Sequence, residues 1–213
     1  MNGALELLAR AFDDEAAPPH DAISERILDA ALAISAASGL RNLTMDAVAR
    51  RARVGRMTVY RRFRDRDGLV EALSVRETRR CLAGLDAATD PTQPIAEQVA
   101  EGFVTSLRFA AEHPLLARLA RVEPELVLDA LNAQRGGGFA TAVAFAAERL
   151  RQSQRAGVLD AGVDVEVVAE LLVRVALSFV LVPGSRLPLH DEDALRAIAR
   201  RHLVPLVGAT ARA

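Results

Sequence analysis

The chain has 213 residues, of which 51% are hydrophobic and 26% charged, and its formal net charge at pH 7 is −1. This length suffices for one domain, or two small ones, with a substantial hydrophobic core. No stretch of about 18 uncharged apolar residues occurs, which excludes a transmembrane helix, and the acidic N-terminus shows no signal peptide. The one cysteine, Cys81, cannot form an internal disulfide, so we expect a cytoplasmic protein.

Residues 1–20 have the character of a disordered tail, because Pro18 and Pro19 stop any short helix that forms before them. The alternative is an arm that lies on a partner. With a single Arg, such an arm would bind phosphates poorly.

The rest of the composition favours an all-α fold of roughly nine or ten helices. Ala, Leu and Arg are abundant helix formers, aromatic residues make up only 4% of the chain, and no convincing segment alternates apolar and polar residues as a strand does. Apolar spacing of three to four residues, together with capping residues, places the helices. They are predicted over residues 22–38, 45–52, 56–63, 66–85, 95–113, 115–120, 124–133, 139–156, 165–182 and 192–206, with a glycine loop at 136–138.

The charges are unevenly distributed along the chain. Residues 21–80 hold thirteen Arg and eight acidic residues, whereas residues 81–213 hold thirteen Arg and sixteen acidic residues. Nine of the Arg lie within residues 41–66. A basic segment on an otherwise acidic chain suggests a local site for a polyanion, and a solvated Arg-rich surface is the other interpretation.

The two short helices predicted over residues 45–52 and 56–63, joined by about three residues, form a helix-turn-helix. Helices of about eight residues are unstable alone, so they must pack on their neighbours. Val54 would fill the turn, while Val59 and Phe63, four residues apart, would anchor the second helix to the core. Its other face carries Arg, Thr and Tyr, which suit the major groove of DNA because Arg pairs with guanine and hydroxyls bond phosphates.

This segment resembles the DNA-binding domain of the TetR family of bacterial transcriptional regulators. The resemblance covers residues 23–73 and implies a helix-turn-helix domain over residues 21–66, followed by a helical ligand-binding and dimerisation domain over residues 67–213. The later helices match the family in architecture. The matching positions of the first domain are Ile27, Leu28, Ala30, Ala31, Gly39, Leu43, Thr44, Val48, Ala49, Ala52, Val54, Thr58, Val59, Tyr60, Phe63, Asp67 and Leu69.

Two positions of the turn depart from the family. Its usual turn glycine is Arg53 here, and the usual Ser or Thr cap of the recognition helix is Gly55. Glycine is acceptable as a cap, and we expect Gly55 to carry the positive φ that the turn needs. Arg53 could instead reach a phosphate.

The resemblance also implies roles for the exposed residues of the helix-turn-helix. Arg56, Met57 and Arg61 would contact base edges, with Tyr60 at the border between base and backbone. For each Arg, a surface ion pair is the alternative. The further residues, expected at phosphates or in the turn beside them, are Thr44, Arg53, Gly55, Thr58, Arg62 and Arg66.

One such unit reads only a few base pairs, which implies a homodimer on an inverted repeat of double-stranded DNA, with half-sites about 34–36 Å apart or multiples of that. Apolar stripes on the last two long helices are the candidate interface, although they could instead close the core of the monomer. The candidate residues are Val168, Leu171, Leu172, Val175, Phe179, Leu195, Ile198, Ala199 and His202.

The middle helices are the expected sensor, because apolar side chains with few polar groups suit a small, mostly apolar molecule. Its binding would favour a dimer whose two helix-turn-helix domains are wrongly spaced for DNA. The expected function is therefore a repressor that its ligand releases from DNA. No cofactor or metal is expected. The candidate ligand-binding residues are Phe103, Leu107, Arg108, Phe109, His113, Leu119, Phe139 and Val143.

Two other classes of protein remain as alternatives. One is a helical interaction protein whose helix-turn-helix no longer binds DNA. The other is a small all-α enzyme, which is disfavoured because the four His residues are far apart in sequence and no catalytic motif occurs.

Overall fold

The protein is all-α in its computed structural model, as the composition predicts. The structure describes residues 21–122, 125, 127–128, 138–182 and 185–208. These ranges contain nine α-helices, two 3-10 segments (Leu40–Asn42 and Val204–Val207) and no β-strand. The helices are α1 Ala22–Ser38, α2 Met45–Ala52, α3 Arg56–Phe63, α4 Arg66–Ala88, α5 Ile95–Glu112, α6 Pro114–Val122, α7 Gly138–Arg155, α8 Val165–Leu181 and α9 Glu192–His202.

The helix boundaries follow the sequence pattern closely. The predicted bounds of α1, α2 and α3 agree with the structure, and those of α4 to α8 differ by three residues at most. The last helix was predicted to reach residue 206, but it ends at His202. Pro205 lacks the N–H that would continue the helical hydrogen bonds, and the chain goes on as the 3-10 segment Val204–Val207.

Some predicted features fall outside the described residues. These are the tail over residues 1–20, most of the short helix over residues 124–133, of which 125, 127 and 128 are described and helical, and all but the last residue of the glycine loop. That last residue, Gly138, begins α7. The described helices are too short or too polar to cross a lipid bilayer.

Side-chain oxygens cap the starts of five helices. Asp21, Asp65, Asp164 and Asp191 each accept hydrogen bonds from backbone N–H groups in the first turn of α1, α4, α8 and α9. Thr44 does the same for α2, with its Oγ1 3.2 Å from the amide nitrogen three residues further on. Such caps satisfy N–H groups that the helix itself leaves unpaired, and a carboxylate there also complements the helix dipole.

The helix-turn-helix shares its core with α1, α4 and α6. Leu115 and Leu119 of α6 are buried in this first core, although they lie far along the chain. The core therefore extends past residue 66, where we predicted the domain boundary. Fully buried members from the first four helices are Ile27, Val48, Val59 and Leu69.

A second core joins α5, α7, α8, α9 and the final 3-10 segment. Phe103 of α5 meets Phe179 of α8 edge to face, with ring centroids 5.8 Å apart. This geometry is favourable for aromatic pairs. Among the buried side chains of this second core are Val104, Leu150, Val168, Leu195, Ala199 and Val204.

A buried arginine ties α4 to α1. The side chain of Arg76 is only 5% exposed, and its Nη1 donates to Asp29 Oδ1 at 2.8 Å and to Glu25 Oε2 at 3.2 Å. Its Nε donates to Glu77 Oε1 at 2.7 Å. Arg76 and Glu77 are the buried members, whereas Glu25 and Asp29 are 36% and 61% exposed. Removing Arg76 or Glu77 is therefore the costly change, because it leaves the other buried charge without its partner.

The same group reaches the corner between α5 and α6. His113 Nδ1 accepts a hydrogen bond from the Leu116 amide, so its Nε2 carries the proton and donates to Glu77 Oε2 at 3.1 Å. Burial raises the pKa of Glu77, but the hydrogen bonds from His113 and Arg76 bring it below the usual value. Glu77 is therefore held as a carboxylate between two helical units, the one around the first core and the one around the second core.

The turn between α3 and α4 is tight. Arg64 has φ 59° and ψ −62°, and the amide of Asp65 bonds back to the Phe63 carbonyl at 2.7 Å, which makes a γ-turn. Gly68 then passes so close that a Cβ there would lie 2.4 Å from the Phe63 carbonyl oxygen. A glycine is required at this position because the atom in the way is a backbone carbonyl oxygen, which cannot move aside as the end of a flexible side chain could.

We expect Gly68→Ala to lower the free energy of unfolding by about 1–3 kcal/mol, because the added methyl group forces α3 and α4 apart. Chemical denaturation at fixed protein concentration measures the effect. The matched control is Gly84→Ala in the same helix, where a Cβ meets nothing within 4 Å and should stabilise by about 0.5–1 kcal/mol. Equal effects of the two substitutions would contradict this role of Gly68.

Candidate nucleic-acid interface

The recognition helix α3 is held by two buried side chains. Val59 is 0% exposed and Phe63 is 3% exposed, and both pack in the first core. Val48 and Ala52 of α2 are buried in the same core, and the small side chain of Ala49 keeps the two helices close. This packing fixes which face of α3 points outward.

The turn of the motif differs from the prediction in one respect. Arg53, at the C-terminus of α2, has φ 54° and ψ 47°, the left-handed conformation. Gly55 has φ −65° and ψ 143° and caps α3 without any side-chain bond. The prediction that Gly55 carries the positive φ is therefore wrong, because the reversal of the chain occurs directly at the end of α2, two residues earlier.

The outward face of α3 carries the predicted base-reading residues. Met57 is 77% exposed, Arg56 and Arg61 are exposed, and Tyr60 is half-buried. Arg61 has no ion pair with any described residue, so its guanidinium is available to a ligand. An apolar thioether beside two guanidinium groups suits both the methyl group of thymine and the acceptors of guanine.

Arg56 is oriented by two neighbours. Its Nη2 lies 3.4 Å from the Tyr60 hydroxyl, and its guanidinium lies over the Tyr60 ring, 5.4 Å from the centroid. Its Nε lies 2.9 Å from Asp46 Oδ1, at the start of α2. The hydrogen bond with Tyr60 and the charge of Asp46 raise the pKa of Arg56, which is therefore always a cation. Asp46 is not among the site residues predicted from the sequence.

Two of the predicted phosphate contacts are engaged inside the domain. Arg62 is 15% exposed, and its Nη1 lies 2.5 Å from Asp21 Oδ2 and 2.9 Å from Ser24 Oγ. Arg66 donates to the carbonyl oxygens of Leu40 at 2.8 Å and Leu43 at 3.1 Å. Both guanidinium groups join parts of the domain, although the Arg66 side chain is still 43% exposed. Their phosphate contacts stay a prediction.

Other candidate phosphate contacts remain open to solvent. Thr44 is exposed, and because its oxygen accepts a hydrogen bond as the cap of α2, its hydroxyl proton is free to donate. Thr58 is half-buried in the first turn of α3. Besides Arg61, the exposed arginines of residues 41–66 that form no ion pair with a described residue are Arg50, Arg51, Arg53 and Arg64.

The predicted interface residues divide into two groups. Val168, Leu195 and Ala199 are buried in the subunit's own core, so these three are corrected from interface to core. Leu172, Val175, Phe179 and Ile198 are partly exposed, whereas Leu171 and His202 are exposed. Although thirteen of the seventeen residues of α8 are apolar, only Val165, Val168 and Ala169 are buried.

The predicted ligand-binding residues do not lie in one place. Phe103, Leu107 and Val143 pack in the second core. Phe109 meets the ring of His113, with centroids 5.1 Å apart, at the α5–α6 corner. The remaining three occupy separate positions: Arg108 pairs with Glu192, Leu119 lies in the first core, and Phe139 lies beneath the guanidinium of Arg174.

The comparisons with known proteins agree with this geometry. Residues 27–73, from α1 to the first turns of α4, match the family model of bacterial regulatory proteins of the tetR family, which confirms the resemblance predicted from the sequence. An uncharacterised helix-turn-helix transcriptional regulator of Mycobacterium tuberculosis is 28% identical over 185 residues, which cover 86% of this chain and 85% of that protein.

Solved structures share the fold. GusR of Salmonella enterica has a TM-score of 0.65 at 20% identity, covering 88% of this chain and 96% of that one. The TetR-family repressor AlkX of a Dietzia species has a TM-score of 0.60 at 22% identity, covering 87% of this chain and 95% of that one. At such identities the likeness establishes the all-α architecture of both helical units.

We expect Arg53→Gly to raise the free energy of unfolding by about 0.5–1 kcal/mol, because only glycine adopts the left-handed conformation without steric cost. Denaturant unfolding measures the change. Arg53→Ala is the control, since it removes the same guanidinium but keeps the Cβ. The interpretation fails if the Ala variant gains as much stability as the Gly variant.

Proposed function

We propose that this chain, a DNA-binding transcriptional regulator of the TetR family, is a homodimeric repressor that a small, mostly apolar molecule releases from its operator. The observation that carries the proposal is the outward face of α3. A short helix anchored by Val59 and Phe63 presents two guanidinium groups, a thioether and a phenol on a protruding surface. Such a helix can lie in the major groove of DNA.

In this proposal, Arg56, Met57 and Arg61 contact base edges, and Tyr60 lies between base and backbone. Phosphates are bound by Thr44, Thr58 and the exposed guanidinium groups near the turn. Arg62 and Arg66 hold the helix in place, and Arg66, whose side chain is 43% exposed, can also reach a phosphate. Base contacts select the sequence and phosphate contacts fix the register.

A homodimer is proposed because two such helices are needed to read two half-sites of an inverted repeat, about 34–36 Å apart. The exposed side of α8 supports it. Val167 is 54% exposed and Leu171 is 42% exposed, one helical turn apart. An apolar helix with so much exposed surface is expected to pack against a partner, and a second α8 would cover it symmetrically.

Control by a ligand is proposed from the contacts between the two helical units. Phe109 touches His113, which binds Glu77, which in turn binds Arg76 beside α1. A molecule bound near α5 that moves the α5–α6 corner would therefore move the reading head, which is the helix-turn-helix together with α1. This requires that the molecule binds one arrangement better than the other. This part of the proposal fails if no compound that binds the protein lowers its affinity for DNA.

We expect Arg56→Ala and Arg61→Ala each to cost about 1–3 kcal/mol in binding to the preferred sequence and to relax the preference at one base position. The site is first selected from a random duplex library, and affinities are then measured by fluorescence anisotropy at several salt concentrations. Arg186→Ala, which removes an exposed arginine from the loop before α9, is the control and should bind as the wild type does.

The same titration separates the alternatives. A regulator shows tight binding with a steep salt dependence. Absence of binding to every duplex at low salt would instead favour a helical interaction protein or an enzyme.

We expect Leu171→Glu to weaken the dimer by about two orders of magnitude, because a carboxylate would be buried without a partner at the interface. Sedimentation equilibrium measures the dissociation constant. Val122→Glu is the control, since Val122 is 57% exposed but lies at the end of α6. A wild-type protein that stays monomeric at all concentrations, or a variant that dimerises normally, would contradict the proposed interface.

A further inference from the structure

We propose that Asp46 is a positioning residue that sets the base preference of Arg56. The inference rests on the proposed function, in which Arg56 contacts a base edge. Asp46 itself touches no base in this proposal and acts only through the side chain that it holds.

The two residues form a bridge between the two helices of the motif. Arg56 Nε lies 2.9 Å from Asp46 Oδ1, and the side chains are 62% and 45% exposed. The Oδ1 atom is withdrawn from solvent and has no hydrogen-bond partner among the described residues. The Arg56 guanidinium is therefore the group that compensates this negative charge.

The bridge determines which edge of the guanidinium faces outward. Nε lies 2.9 Å from Asp46 Oδ1, where the charges attract without a hydrogen bond, and Nη2 lies 3.4 Å from the Tyr60 hydroxyl. The side chain is therefore held at two points. The N–H groups of Nη1 and the second N–H of Nη2 remain open, and they can donate to O6 and N7 of one guanine. A flexible arginine has to lose rotamer freedom when it binds, and one that is already oriented loses less.

The same carboxylate opposes indiscriminate binding. It lies beside the recognition helix, where it repels the phosphates of any duplex regardless of sequence. Asp46 thus has two opposite effects on affinity: it favours the sequence that Arg56 can read and disfavours all others. A residue with both effects raises specificity more than affinity.

Asp46→Ala tests the inference, with Asp67→Ala as the matched control. Each aspartate is the second residue of its helix, α2 or α4, and Asp67 pairs with Arg66 at 3.2 Å instead of with Arg56. Binding is measured to the selected duplex, to its variants at each base position, and to unrelated duplex DNA. Thermal unfolding is recorded for every variant.

For Asp46→Ala we expect the preference for guanine at one position of each half-site to fall by about tenfold, while affinity for unrelated DNA rises by about two- to fourfold. For Asp67→Ala we expect the rise without the loss of preference. In an Arg56→Ala background, Asp46→Ala should leave the base preference unchanged, because the residue that it positions is gone.

Other outcomes overturn the inference in distinguishable ways. If Asp46→Ala lowers affinity for all duplexes together with the melting temperature, Asp46 is merely structural. If Arg56→Ala relaxes the base preference and Asp46→Ala does not, the inference fails and the base contact stands. If Arg56→Ala itself leaves the preference unchanged, the base contact of the proposed function fails as well.

Discussion

The structure depends on the burial of Val59 and Phe63. A helix of eight residues does not persist in water, because its few internal hydrogen bonds do not offset the cost of ordering it. Two large apolar side chains on one stripe supply the missing stability and also fix the rotation of the helix. At 100° per residue, Met57 and Arg61 then face away from the core, Arg56 and Tyr60 lie on one flank, and Arg62 lies on the other.

This rotation explains why neighbouring arginines have different roles. Arg62, on the flank near α1, is close enough to bond Asp21 and Ser24, whereas Arg61 points to solvent. Arg66 bonds three oxygens and Arg76 bonds four, which a guanidinium can do because it carries five N–H groups in a fixed plane. Some of the arginines that give residues 21–80 their positive charge thus bond to groups of the same domain. Fewer guanidinium groups are left for DNA than the sequence suggests.

The features that could be predicted from the sequence are those that local interactions determine. Caps such as Asp21 and Thr44 act within three residues, so the starts of the helices could be located from the chain alone. Contacts between helices could not be predicted in this way. Asp21 and Arg62, for example, are 41 positions apart, and no periodicity indicates that they meet. The stripe on α9 was recognised as apolar, but the pattern does not tell whether Leu195 faces its own subunit or another, and the structure places it in the core.

The junction between the two units restricts how the reading head can move. Leu115 and Leu119 place α6 in the first core, while His113, one residue before α6, is bound to Glu77 of α4. Distorting the head internally would break these buried contacts together with the Arg76 ion pairs, at a cost of several kcal/mol. Moving the head, the start of α4 and α6 as one body leaves them intact. In the proposed dimer, a change in the spacing of the two helix-turn-helix domains is therefore easier by rotation about the α5–α6 corner and the second half of α4 than by rearrangement within the helix-turn-helix.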